Sequence, residues 1–361
     1  MRKSSLWLIT AALAAGLLGA CSGASTPAST PTAAPAATKA ATTVVSVVAT
    51  PSSATELLAT KKAPASLATD DPAWKSTSTT AVRTILVSGS KATAGVTVNA
   101  QALYNDTDVW FRLEWPDATQ SDIATWSWDG TKWNSDPAIT DRVGMMWEMT
   151  SVADFEAKGC AGLCHRSTTD PIEKWYMIGP KAGDKLDLWQ WTAATTGPLA
   201  QANDQTLAAV DLPNPAQMSS SFVADQTDTG SGTVTNSAVA PAPAGPLKMQ
   251  DPSKPATYGA KYLAVKDAIA LDMSKIKVGD KIPRTMLAPY AGSRADIDSK
   301  GAYASGKWAV VLHRKLDTGH ADDVKFTTSQ TYTFGLAVWN DLDAFNHTVT
   351  EDPFKLRFGA P

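Results

Sequence analysis

The stretch 96–115 reads Val96-Thr97-Val98-Asn99-Ala100-Gln101-Ala102-Leu103-Tyr104, then Asn105-Asp106-Thr107-Asp108, then Val109-Trp110-Phe111-Arg112-Leu113-Glu114-Trp115. Both flanking runs alternate loosely between apolar and polar residues and are rich in β-branched and aromatic side chains, which is typical of strands. The four polar residues between them form turns readily, and Pro116 ends the second run. The stretch therefore predicts a β-hairpin with a four-residue loop.

Similar strand-like runs recur along the chain, whereas strong helical periodicity is scarce. Further strands are predicted at 142–149, 186–191, 308–312, 332–339 and 354–358. Many short strands separated by turns favour a mainly β protein, an antiparallel β-sandwich with few short helices. Residues 198–247 are rich in Ala, Ser, Thr, Asn, Asp and Pro and are predicted to form a long irregular excursion.

The N-terminal region has the features of an export signal. Arg2 and Lys3 precede an uncharged apolar run, 6–20, which is too short for a comfortable membrane span. The run ends at Leu18-Gly19-Ala20-Cys21, which resembles a bacterial lipobox in which the Cys21 thiol carries a diacylglycerol. We interpret residues 1–21 as a lipoprotein signal peptide; the alternative is an ordinary signal peptide. We therefore predict that the protein is exported and lipid-anchored to the cell membrane, where it faces the periplasm or the exterior.

The rest of the chain divides by composition. Residues 22–65 are interpreted as a disordered tether, because Ala, Thr, Ser and Pro bury too little apolar surface to offset the entropy of ordering. Residues 66–361 are long enough for one large domain or two small ones, and we interpret them as the β-sandwich domain. The net charge of −3, without a clustered basic patch, argues against nucleic acid as a partner.

The residues most indicative of chemistry are Cys160, Cys164 and His165. The chain has only three cysteines, and Cys21 is assigned to the lipid anchor. In an oxidising compartment the remaining pair is expected to be bonded, either to each other or to another group. Two cysteines followed directly by histidine are typical of c-type haem attachment, with the thiols on the haem vinyl groups and His165 as the proximal iron ligand. Here three residues separate the cysteines instead of the usual two. A Cys160–Cys164 disulfide is the main alternative, and zinc is weaker because a closed site needs four ligands.

A family resemblance extends over residues 70–361. It rests on the order and spacing of six pieces: Asp141 to Trp147, Gly159 to His165, Asp187 to Trp191, Arg314 to Val324, Phe334 to Asn340, and His347. In these pieces the chain resembles the haem-binding domain of the ethylbenzene dehydrogenase gamma subunit and its cytochrome c-type relatives, the cytochrome c and dimethylsulfoxide-reductase-type haem-binding domain family.

The resemblance implies an immunoglobulin-like β-sandwich with a haem pocket at one side. It implies electron transfer between molybdenum and iron–sulfur subunits and a cytochrome. Gamma subunits hold b-type haem through Met and Lys, whereas relatives with a Cys-Cys-His motif are similar to c-type cytochromes. One c-type haem is therefore expected here, with b-type haem as the alternative. Because the c-type relatives carry a His at the corresponding place, the resemblance also implies His347 as the distal iron ligand.

The chemistry of four further side chains suggests roles at a haem site. Met146 is the alternative distal ligand, because a thioether suits haem iron. Trp147, Trp189 and Trp191 are predicted to line the haem pocket, although Trp side chains on strands also serve as core residues. The acidic pair Asp322-Asp323 is interpreted as turn-forming and solvated.

Three functions remain after these observations. The leading one is a membrane-anchored electron-transfer haem protein, which serves cytochrome or molybdenum oxidoreductase partners. The alternatives are a haem-free β-sandwich that binds carbohydrate or protein through exposed Trp side chains, and a haem-based sensor. No activated nucleophile or pair of catalytic carboxylates stands out, so an enzyme with its own chemistry is not predicted.

Overall fold

The computed structural model describes residues 55–88, 91–136, 140–165, 176–177, 183–208, 226–227, 230–238, 244–340, 347–350 and 352–359. Its strands, in chain order, are β1 (Glu56–Lys61), β2 (Thr80–Ser88), β3 (Lys91–Tyr104), β4 (Asp108–Pro116), β5 (Thr125–Trp128), β6 (Trp133–Ser135), β7 (Arg142–Glu148), β8 (Cys164–His165), β9 (Tyr176–Met177), β10 (Lys185–Thr192), β11 (Asn203–Ala208), β12 (Gln226–Thr227), β13 (Val234–Thr235), β14 (Lys248–Gln250), β15 (Leu263–Ala264), β16 (Ala268–Ala270), β17 (Lys281–Pro283), β18 (Thr285–Leu287), β19 (Asp298–Ala304), β20 (Lys307–Lys315), β21 (Thr331–Trp339), β22 (Thr348–Thr350) and β23 (Phe354–Phe358). Two short helices, α1 (Ala153–Lys158) and α2 (Cys160–Leu163), lie between β7 and β8.

The predicted hairpin is confirmed as β3 and β4. Their antiparallel register pairs Leu103 with Trp110 and Ala100 with Leu113. The Asn105 carboxamide oxygen accepts hydrogen bonds from the backbone N–H groups of Thr107 and Asp108, at 2.8 and 2.7 Å. The turn residues therefore close the loop through the side-chain-to-backbone bonds that favour Asn at this position.

The fold is a mostly antiparallel β-sandwich, as predicted. Hydrogen bonding orders its main strands as β12-β11-β10-β7-β21-β22-β2-β3-β4-β20-β19, and β1 and β23 link β21 to β3. The layers face each other through aromatic side chains: the ring of Phe111 on β4 lies 5.1 Å from Trp147 on β7 and 5.7 Å from Trp189 on β10. Burial of such large rings supplies much of the hydrophobic stabilisation, and truncating one to Ala typically costs about 3–5 kcal/mol.

Two predicted boundaries were wrong. Residues 22–65 were interpreted as tether, but Glu56–Lys61 is a strand that pairs in parallel with β3 and with β23, and its Leu57 is fully buried. Likewise, the excursion 198–247 contains Asn203–Ala208, which pairs antiparallel with β10 in the main sheet. The signal peptide, Cys21 and the first part of the tether lie outside the described residues.

In the part of the chain that the structure describes, helical structure is limited to short segments, in agreement with the prediction. The backbone N–H of Gly159 bonds the carbonyl of Phe155 and ends α1, with Gly159 at a φ of 58° that favours glycine. Within the described ranges, no helix combines the length and the hydrophobicity needed to cross a membrane.

Candidate functional site

The motif helices lie on the side of the sheet that points away from the sandwich core. Side chains alternate along β7: Met145 and Trp147 enter the core, whereas Met146 joins a separate buried apolar group. We call this side of β7, β10 and β21 the outer face and the buried apolar group on it the outer cluster. The members of the outer cluster are Met146, Val152, Phe155, Cys160, Leu163, Leu186, Leu188, Leu207, Ala337, Trp339 and Val349.

Cys160 is packed directly against this face. Its side chain is 2% exposed. A Cβ atom built on Gly335 of β21 would approach the Cys160 sulfur to 2.5 Å and the Thr350 hydroxyl to 2.9 Å. The absence of a side chain at Gly335 therefore allows the Cys160 thiol to approach the sheet closely.

The second half of the motif is held by backbone pairing. Cys164 and His165 form β8, which pairs antiparallel with β9 so that Cys164 lies opposite Met177 and His165 opposite Tyr176. Because α2 runs from Cys160 to Leu163 and β8 follows at once, the two cysteines lie at the two ends of one helical turn. Leu163 between them is fully buried in the outer cluster.

His347 lies at another edge of the same cluster. Its imidazole is half-buried and stacks on Trp339, with ring centroids 4.5 Å apart and planes 23° apart. Trp339 ends β21 opposite Arg142 and belongs to the outer cluster, as do Met146 and Cys160. The structure therefore brings Cys160, Met146 and His347 to one apolar region, although they are far apart in sequence.

The prediction that three tryptophans line the haem pocket was wrong. Trp147, Trp189 and Trp191 are each at most 1% exposed, and all three belong to the core between the layers. The period of two along a strand places these odd-numbered positions on the opposite side from Met146. Among the tryptophans of β7, β10 and β21 that the structure describes, Trp339 is the one that lies on the outer face. Because both faces of β7 are buried, no pattern in its sequence distinguishes this face from the core.

The two remaining histidines are engaged with carboxylates. His313 Nε2 lies 3.0 Å from Asp108, and His313 Nδ1 lies 3.2 Å from Asp298. Burial lowers the pKa of His313, but these hydrogen bonds more than offset it and the pKa is raised. His320 Nδ1 lies 2.5 Å from Asp296, a hydrogen bond that raises the pKa of His320.

A buried charge cluster was missed by the sequence interpretation. Arg314 Nη1 donates to Asp187 at 2.7 Å and lies 3.8 Å from a carboxylate oxygen of both Asp204 and Asp323. Asp323 is only 6% exposed, so the interpretation of it as a solvated turn acid was wrong. The three acids come from separate segments, and no local pattern signals that they meet.

This cluster carries more negative than positive charge in a low-dielectric interior. Burial raises the pKa of Asp323 to about 7, although Arg314 opposes the shift. Burial likewise raises the pKa of Asp187, against the attraction of Arg314 and a 2.9 Å hydrogen bond from the Val324 N–H. One guanidinium cannot offset three carboxylates, so proton binding relieves the excess charge.

Comparison with known proteins gives a family match and distant fold likenesses. Residues 71–347 match the family described as ethylbenzene dehydrogenase. A search among curated protein sequences found no significant match.

Similar solved structures include a family 9 carbohydrate-binding module from Caldicellulosiruptor kristjanssonii, recorded in complex with glucose and with cellotriose. The glucose complex has 8% identity and a TM-score of 0.34, and the alignment covers 85% of this chain and 96% of that one. The cellotriose complex has the same identity and TM-score, with coverage of 84% and 95%. A putative carbohydrate-binding protein from Bacteroides uniformis has 8% identity and a TM-score of 0.35, with coverage of 84% and 99%.

Proposed function

Because this chain belongs to the ethylbenzene dehydrogenase family, we propose that it is an electron-transfer protein that binds one c-type haem at the outer cluster. The observation that carries the proposal is the meeting of Cys160, Met146 and the Trp339–His347 stack on one apolar sheet face. When bound, haem supplies a one-electron Fe(III)/Fe(II) couple.

The residues at and beside the outer cluster fit haem: Cys160 and Met146 belong to it, His347 stacks on its Trp339, and Cys164 and His165 directly follow α2. Thiol sulfurs, an imidazole and a thioether are the groups that attach a c-type haem and ligate its iron. Cys160 and Cys164 would form the thioether bonds, and His165 would be the proximal ligand. The members of the outer cluster are all apolar residues or sulfur-containing ones, so this region would exclude water and give the low dielectric that tunes a haem potential.

His347 is the better candidate for the distal ligand, with Met146 as its rival. Stacking on Trp339 restricts the rotation of the His347 ring, which reduces the entropy lost when an imidazole is fixed on a metal. Met146 is 2% exposed and packs within the cluster, so its thioether already serves a core role.

The redox partners would be subunits of a molybdenum oxidoreductase complex or a cytochrome. Family membership supports this class of partner. Lipidation of Cys21 would hold the domain at a membrane surface outside the cytoplasm, where acyl chains contribute about 0.8 kcal/mol per buried CH₂. The segment between Cys21 and β1 would set the distance from that surface.

The experiment is to produce the full chain with cytochrome c maturation factors and record its absorption spectrum before and after dithionite. We expect a Soret band that shifts on reduction, together with a reversible midpoint potential in a redox titration. Replacing both cysteines, Cys160→Ser with Cys164→Ser, should abolish haem retention on a denaturing gel. The matched control is His320→Ala, since His320 is paired with Asp296 away from the outer cluster, and it should leave spectrum and potential unchanged. A colourless wild-type protein that is folded by circular dichroism would contradict the proposal.

A further inference from the structure

A second feature of the molecule is a cavity of about 490 Å³. It lies at the end of the outer face near Arg142 and Thr192, whereas Met146 and Leu186 of the outer cluster lie further along the same strands. One wall consists of β7, β10 and β11, and the other consists mainly of segments between residues 233 and 294; residues 123–124, 140 and 194–195 complete the lining. Its lining residues are mostly polar: Ile123, Ala124, Thr140, Arg142, Gln190, Thr192, Ala194, Thr195, Asn203, Thr233, Thr235, Tyr262, Pro283, Arg284, Thr285, Tyr290 and Arg294. The volume falls in the range of small-molecule sites.

The charge of this lining is one-sided. Three of the lining residues are arginines, and none of those in the described part of the chain is Asp or Glu. Tyr262 adds no negative charge, because burial, with a contribution from Asp122, raises the pKa of its phenol to about 12. The cavity therefore concentrates positive charge and N–H and O–H donors around one space.

Arg142 has the least compensated charge of the three. Its Nε atom is buried, and none of the residues that the structure describes accepts a hydrogen bond from it. Burial alone lowers the pKa of its guanidinium, with no contribution from an acidic neighbour. Burying a guanidinium in this way destabilises the folded protein, and a bound anion would offset that penalty.

The other two arginines are positioned by neutral groups. Arg294 donates from Nε to the Asn203 side-chain oxygen at 2.7 Å and stacks on Tyr290, with its guanidinium carbon 4.2 Å from the ring centroid. Arg284 donates from Nη1 to the backbone carbonyl of Asp136 at 3.0 Å. Each contact fixes a guanidinium and leaves other N–H donors for a ligand.

We infer that this cavity binds the carboxylate groups of a small anionic molecule, held by Arg142, Arg284 and Arg294. The planar fork of arginine matches a carboxylate with two parallel hydrogen bonds, and several such forks favour a ligand with more than one carboxylate. The threonine hydroxyls and the Gln190 carboxamide would add hydrogen bonds.

The carboxylates could come from two sources, and the experiment separates them. One source is a diffusible organic acid. The other is the propionate pair of haem, because Arg142 and Met146 lie on the same side of β7. The inference itself does not depend on haem, because protein made without maturation factors can be tested on its own.

The test is calorimetric titration of the full chain with citrate against sodium chloride of equal ionic strength. Haem-free protein should bind citrate, and Arg142→Gln should weaken the affinity at least tenfold, as should Arg294→Gln. The matched control is Arg83→Gln, an exposed arginine outside the cavity that should leave citrate affinity unchanged. Citrate binding by haem-loaded protein as well would identify a diffusible acid, and its loss on haem loading would identify the propionates.

A thermal melt separates this role from a structural one. If Arg142 serves to bind a ligand and not to stabilise the fold, the Arg142→Gln variant without citrate should melt at the wild-type temperature or above it. The reason is that the substitution removes an unpaired buried charge. The inference is overturned if haem-free protein binds no citrate, or if Arg142→Gln and Arg294→Gln both bind it as the wild type does.

Discussion

Replacing Asp323 by Asn tests the buried charge cluster, because the variant keeps the shape of the side chain and removes its charge. Asp323 lies 3.8 Å from Arg314 Nη1 and accepts a hydrogen bond from the Thr318 hydroxyl. Arg314 already donates to Asp187 at 2.7 Å. An amide at position 323 can accept the Thr318 bond and leaves Arg314 with fewer excess negative charges around it.

The magnitude follows from the pKa of Asp323, which burial raises from 3.8 to about 7. A folded-state pKa above the unfolded one means that the folded protein binds the proton more tightly. The resulting stabilisation is complete below about pH 3.8 and is lost as the pH rises through about 7. At about 1.36 kcal/mol per pKa unit, the upper limit is about 4 kcal/mol. Because the pKa of neighbouring Asp187 is also raised, the two carboxyl groups titrate together and we expect less, about 2 kcal/mol.

The assay is urea unfolding of the purified full chain, followed by tryptophan fluorescence, at intervals from pH 4.5 to pH 8.5. The wild-type free energy of unfolding should fall across this range more steeply than that of Asp323→Asn, so the variant should be the more stable protein at pH 8.5. Asp322→Asn is the matched control and should keep the wild-type slope. A variant that loses more than about 1 kcal/mol at pH 8.5, or that keeps the wild-type slope, would refute the reasoning.

Three further predictions concern the motif and the anchor. Gly335→Ala should destabilise the fold by about 1–3 kcal/mol, because its Cβ would meet the Cys160 sulfur at 2.5 Å; Gly144→Ala, whose nearest contact is 3.4 Å, should change the melting temperature little. His347→Ala should keep the haem attached and convert its spectrum to high-spin; an unaltered low-spin spectrum and potential would exclude His347 as the distal ligand. Cys21→Ser should move the protein from the membrane to the soluble fraction, and a fully processed variant that still sediments with membranes would contradict the lipid anchor.

Strands could be predicted from the sequence where neighbouring residues specify both the strand and its turn. The β3–β4 hairpin could be predicted because Asn105 and its neighbours specify the turn and the flanking runs alternate. By contrast, Glu56–Lys61 adjoins a stretch of low complexity and pairs with Phe354–Phe358 from the other end of the chain. Parallel pairing over that separation leaves no local signal, so the strand was assigned to the tether.

The sequence predicted most residues of the candidate site correctly, but it did not predict which face of the sheet each residue lies on. Cys160, Met146 and His347 do share one region, whereas the three tryptophans face the core. The strand Arg142–Glu148 is buried on both faces, so hydrophobicity alone cannot say which parity faces the sandwich interior. The two sides are distinguished by packing: Cys160 and residues of the neighbouring helices join Met146 in the outer cluster.

The central claim is that haem is covalently attached at Cys160 and Cys164. It is tested most directly by the intact mass and pyridine haemochrome spectrum of the denatured full chain, produced with cytochrome c maturation factors. The account predicts a mass increase equal to one haem and a c-type haemochrome that survives acid–acetone extraction. Extraction of all colour, or a Cys160–Cys164 disulfide found by peptide mass spectrometry, would contradict it.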